Sequence, residues 1–163
     1  MKKLSNTGYK IVKSIHILSS SVWIGASLVG TFLLTVVLDK NNLREILSAI
    51  HYIDLLIIIP ANCVTLITGI MFSKFTEWGF FKHRWIILKY VINIVPILFG
   101  GVLFAPSIIK MLSIVDKFAE AAALDSDFIM AKNIFTGSFV VMLLMLAGAV
   151  LLTNFKPKLI KNK

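Results

Sequence analysis

Ser14 to Leu38 reads SIHILSSSVWIGASLVGTFLLTVVL, twenty-five residues without a formal charge. A helix needs about 20 apolar residues to cross a hydrocarbon core, so this stretch predicts a transmembrane helix. At about 100° per residue, His16, Ser20, Trp23, Ser27 and Gly30 fall close to one line. Leu18, Ile24, Leu28 and Phe32 form an aliphatic opposite face that suits lipid. A narrow stripe of small and polar residues with one histidine is the composition of a seam buried between membrane helices.

The rest of the chain agrees. Its 163 residues are 58% hydrophobic and only 15% charged, with a mean hydropathy of +0.88. That is too apolar for a soluble domain. The net charge of +9 does not point to nucleic acid, because the basic residues cluster at the ends of apolar runs, where cytoplasmic loops carry them. The single cysteine, Cys63, excludes an internal disulfide and any cysteine-pair metal motif. Met1-Lys2-Lys3 opens like a signal peptide, but the apolar region that follows is far longer than about 15 residues and has no A-x-A-like exit. The first segment is therefore expected to stay as a helix.

The pattern predicts an all-α, polytopic membrane protein: one domain over 1–163, a bundle of four transmembrane helices at about 14–38, 50–72, 85–109 and 134–155. Met1 to Lys13 reads as a basic arm, and Asp39-Lys40-Asn41-Asn42 as a turn. Lys74 to Arg84 is a basic, aromatic connection, KFTEWGFFKHR. Lys110 to Lys132 is a longer one that holds Asp116, Glu120, Asp125 and Asp127, and its middle reads as a short helix or an extension of the third span. Pro60, Pro96 and Pro106 lie inside apolar runs, where each removes a backbone donor and flexes the helix. Four spans put the arm, the Lys74–Lys89 region and the tail on one side with twelve Lys and Arg. The other side has five: Lys40, Arg44, Lys110, Lys117 and Lys132. The excess predicts both termini in the cytoplasm, with the chain crossing the cell (inner or cytoplasmic) membrane several times.

Chemistry has to come from the polar groups inside the spans. His51, Asp54, Ile58, Asn62, Thr65 and Gly69 share a face of the second span. Trp85, Lys89, Asn93, Pro96 and Gly100 share one on the third, and Asn133, Gly137, Leu144 and Gly148 make a small-residue seam on the fourth. Asn62, Thr65 and Asn93 either hydrogen-bond between helices or line a path. Depth limits which groups can meet. Asp54 and Lys89 start their spans at opposite ends of a core about 30 Å thick and cannot pair. Asp54 has His51 one turn back and Lys40 or Arg44 in reach, and Lys89 can snorkel to the inner surface. Neutral imidazole ligates haem iron, copper or zinc. His16 and His83 stand at equal depth and are the candidate metal ligands, with His51 as a further candidate and Trp23 beside His16 on the same face. Cys63, Met142 and Met145 are the soft groups that Cu(I) would use. There is no nucleophile and base at recognisable spacing, no nucleotide loop and no carboxylate pair within a span, so the sequence carries no signature of a soluble-type catalytic centre.

The pattern K-x-x-H-x-x-x-x-x-x-W-x-G at Lys13, His16, Trp23 and Gly25 resembles the opening helix of small four-helix membrane proteins related to the membrane domain of copper-resistance protein D. The segment Pro60 to Ile70, PANCVTLITGI, resembles the second-helix signature of an uncharacterised membrane family in that neighbourhood. The resemblance covers about the first ninety residues. It implies a four-helix bundle that handles haem or copper, with His16 as the position to watch. The expected function is therefore b-type haem binding for electron transfer or for haem or redox sensing. A copper or small-solute permease lined by Asp54, Asn62 and Asn93 is the alternative, and a non-catalytic accessory subunit is the third reading. The lipid bilayer is the sure partner, and a second copy or a redox protein are the others the readings allow.

Overall fold

The structure is a computed structural model that describes residues 4–37, 39, 41–77, 79–81 and 83–155. Lys2, Lys3, Lys40, Lys82 and the four lysines of the tail, all used above for orientation, lie outside the described residues. Every element is helical: α1 (Asn6–Phe32), α2 (Leu43–Ile53), α3 (Ile59–Phe75), α4 (Arg84–Phe99), α5 (Ala105–Phe118) and α6 (Ser126–Phe155). Wide, π-type turns over Leu33–Val37, Asp54–Ile58 and Gly100–Phe104 extend α1, join α2 to α3 and join α4 to α5. The result is four helices long and apolar enough to cross a membrane, Asn6–Val36, Leu43–Phe75, Arg84–Phe118 and Ser126–Phe155. This is an integral, multi-pass membrane protein.

Two of the wide turns have one cause. Proline lacks an N–H, and its ring clashes with the carbonyl four residues back. Ahead of Pro60, Ile59 donates to the Asp54 carbonyl; ahead of Pro106, Ala105 donates to the Gly100 carbonyl. Each bond reaches back five residues instead of four, and the wider ring makes room for the proline. Pro96 lies within α4 with no such turn around it.

The helices begin where capping groups allow. Ser5 Oγ accepts the Gly8 N–H at 3.1 Å, so α1 starts at Asn6, well before the apolar run. The Leu4 N–H also bonds to the Phe75 carbonyl, joining the start of α1 to the end of α3. Asp125 Oδ1 accepts from Asp127 and Phe128 and starts α6 at Ser126. The third span runs on to Phe118, as the extension reading expected, and a 3₁₀ segment, Ala119–Leu124, completes the connection.

The spans form an up-down ring in which each packs on its neighbour in sequence and the first also meets the fourth. One end of the ring holds Leu4, the α3–α4 connection and Phe155; the far end holds the α1–α2 turn and the 3₁₀ segment. The far half is solid. Phe104, Phe135 and Phe139 stack with centroids 4.9–5.4 Å apart, among Leu34, Leu47, Ile50, Met111 and Met142. Exposed ion pairs, Arg44–Asp116 at 2.7 Å and Lys110–Asp127 at 3.0 Å, tie α2 to α5 and α5 to α6 there. Arg44 therefore serves Asp116 and not Asp54.

Leu18, Leu28 and Phe32 face outward as the pattern predicts, while Ile24 is half-buried against the core. The fourth-span seam is corrected: Asn133, Gly137 and Leu144 are exposed, and α6 turns Phe135, Phe139, Met142 and Leu146 inward. Volume decided this, because the far half of the ring is wide enough to need phenylalanine.

Candidate functional site

At the end holding the termini the ring is not filled. A cavity of about 440 Å³ lies between α1, α3, α4 and α6, lined by His16, Ser20, Trp23, Thr65, Gly69, Phe72, Trp85, Lys89, Tyr90, Asn93, Leu146 and Asn154 among others. Its size is in the range of small-molecule and cofactor sites, about 300–1,000 Å³. Its walls are mostly apolar, with polar groups at a few points.

His16 is held from behind. Its Nδ1 lies 2.7 Å from Thr68 Oγ1. The Thr68 hydroxyl also has two carbonyls of its own helix within reach, Val64 at 2.8 Å and Thr65 at 3.0 Å. When its proton goes to either carbonyl, Thr68 accepts from the ring, and in that tautomer Nδ1 carries the imidazole proton and Nε2 keeps a lone pair. Phe72 packs edge-on against the ring with centroids 5.7 Å apart. Ser19 and Ser20 both donate to the His16 carbonyl. The ring is thus held at Nδ1 and against one face, on the wall of a cavity.

The opposite wall is α4. The Tyr90 hydroxyl is 2.7 Å from Ser73 Oγ and 3.2 Å from the Gly69 carbonyl, which ties α4 to α3. Lys89 lies over the Trp85 ring at 5.3 Å, and Asn93 donates to the Lys89 carbonyl at 3.2 Å. Two lining groups are buried without partners, the Trp23 indole N–H and the Asn93 Oδ1.

The sequence candidates divide between places. His16, Trp23, Thr65, Lys89 and Asn93 come together at the cavity. His83 precedes the first turn of α4, its ring stacked on Trp85 at 6.0 Å; it is not among the lining residues, although Trp85 is. His51 and Asp54 lie toward the far end on the second span, Asp54 buried at the start of the wide turn. Asn62 is buried between these groups with Oδ1 unpartnered. Cys63 is exposed on α3 and Met142 is inside the aromatic core, so the soft groups do not gather. Among the described residues no three His, Cys, Asp or Glu side chains form a metal-binding group. Reading by stripes missed Ser19, Thr68, Ser73 and Tyr90. The threonines at i and i+3 in TLITG were the visible sign of Thr68, since that spacing puts both on one helix face.

No protein-family model, curated protein or solved structure matches the chain.

Proposed function

We propose that the cavity holds a b-type haem with His16 Nε2 as the axial ligand, and that the protein serves membrane electron transfer or haem or redox sensing. The observation that carries this is the Thr68 contact, which occupies Nδ1 of a histidine that lines the cavity and leaves Nε2 as the ring nitrogen for a metal. Haem-binding histidines need this tautomer, and the partner on the other nitrogen orients the ring. Among the described residues no three His, Cys, Asp or Glu side chains gather at His16, so a metal there would bring other ligands with it. A porphyrin does so, and this favours haem over copper. Apolar walls from Ile24, Leu66, Phe72, Leu146 and Val150 suit the macrocycle, and Lys89 offers a cation to its carboxylates. Bound there, haem would supply one-electron chemistry at iron. His16 is the histidine among the lining residues and would hold the iron. The resemblance to copper-resistance membrane domains supports the same choice of residue, and the charge asymmetry supports termini on the cytoplasmic side.

The test is the absorption spectrum of protein purified after expression with ample haem. Wild type is expected to show a Soret band, and His16→Ala to lose or shift it. His51→Ala and His83→Ala are expected to have smaller effects. A wild-type protein without Soret absorption, or a His16→Ala spectrum identical to wild type, overturns the proposal.

A further inference from the structure

The walls of the cavity are not alike. Between α1 and α3 His16 meets Thr68, and Thr65 Oγ1 reaches Ser19 Oγ at 2.9 Å. Between α3 and α4 the Tyr90 hydroxyl reaches Ser73 and the Gly69 carbonyl. Between α1 and α6, among the described residues, no side-chain hydrogen bond, ion pair or ring contact is made. Exposure follows the same division. The lining residues of α3 and α4 are all buried or half-buried, and the exposed ones are Ile17 and Ser21 on α1 with Val150, Thr153 and Asn154 on α6.

Helix geometry places the opening. At about 100° per residue Ser21 stands about 140° round α1 from His16, the residue that meets α3. The lining thus runs round α1 away from α3, to the flank where its other near neighbour is α6. A Cβ at Gly30 would lie 3.6 Å from the Phe139 ring, so the two helices touch in the solid half of the bundle. In the other half the cavity stands between them. Lys13 and Lys156 are the charges nearest the gap in sequence, eight residues before Ser21 and six after Val150. At 1.5 Å per residue the gap therefore reaches about 10 Å into the hydrocarbon.

Such a gap opens sideways onto one leaflet. Its edges are apolar at Ile17 and Val150 and polar toward the membrane surface at Thr153 and Asn154. That order matches an amphiphile lying in the leaflet, with its body among the acyl chains and its polar end at the headgroups. Haem, an apolar macrocycle with both carboxylates on one edge, is such a molecule. We propose that the α1–α6 gap is a lateral portal through which haem dissolved in the leaflet on the side of the termini exchanges with the cavity. The portal rests on the haem reading above and adds the source: the protein takes its haem from the lipid phase. A residue that guards a passage raises the barrier in both directions, so loading and release slow together and affinity holds.

The test uses the full-length protein in phosphatidylcholine vesicles, mixed rapidly with haem, with loading read as growth of the Soret band. Release is read as decay of that band after an excess of a haem-scavenging apoprotein is added. Ser21→Trp and Val150→Trp put a large side chain into the gap. Leu88→Trp puts one on an exposed face of α4, away from the cavity lining. Each gap variant is expected to load and release about tenfold more slowly than wild type, with Kd unchanged; that is a barrier raised by about 1.4 kcal/mol, within the usual cost of crowding a packed site. Leu88→Trp is expected to keep both wild-type rates. Both gap positions are exposed, so the fold accommodates tryptophan there; thermal melts check this, and either folded variant decides alone. Folded gap variants with wild-type rates, or ones that weaken binding through faster release, overturn the portal and leave the haem reading intact. Wild type without a Soret band overturns the haem reading, and a portal for haem falls with it.

Discussion

Thr68 shows how a side chain without catalytic chemistry of its own can set the chemistry of another. Its hydroxyl can give its proton to the helix backbone and present an acceptor to His16, which would leave the other imidazole nitrogen bare. Thr68→Val keeps the shape and removes the acceptor. The proposed haem site is then expected to lose affinity by about 10–100-fold, the usual cost of deleting such a supporting contact. Haem titration of the purified variant measures this, and unchanged affinity would mean that Thr68 does not orient the ring. His16 itself was legible in the sequence, as the one ionisable group in an uncharged run. Thr68 was legible only as the second threonine on one helix face; its partner was not, because a hydroxyl gives no sign of what it meets until two helices are placed side by side.

At the level of elements, starts and turns follow local chemistry closely. Ser5 caps α1 through the Gly8 N–H, and removing such a cap costs about 1 kcal/mol. Ser5→Ala is expected to fray the first turn, with faster hydrogen exchange confined to the amides of residues 6–9 and no change at Trp23 or beyond. Exchange that rises along the whole helix would show that α1 depends on this cap globally. The prolines tell a similar story. Pro60 and Pro106 each sit just after a wide turn, and a residue pair around each makes the five-residue bond that the missing donor requires. The sequence announces the disturbance but not its form, since a helix can also absorb a proline without widening, as α4 does at Pro96. The wide turn at Pro60 is also where Asp54 enters the interior.

Across the molecule, the bundle is solid at one end and hollow at the other. Three phenylalanines and the surrounding aliphatic residues fill the far half, while smaller and polar residues leave the cavity near the termini. Orientation is the property of the whole chain that the lysines and arginines predict, twelve on one side and five on the other. A reporter active only outside the cell is expected to be active when fused within Ser113 to Ala131 and silent when fused after Lys163. The opposite result would place the cavity on the outer side. Four spans, an all-helical fold and membrane residence were decided by the sequence alone, because each depends on long uncharged runs that no other solvent tolerates. The inward face of α6, the Thr68–His16 contact and the cavity itself were decided only by tertiary structure. Periodicity says that a helix has a polar face and a bulky one. Which face turns inward depends on the volume its neighbours leave, and that volume exists only once the four helices are assembled.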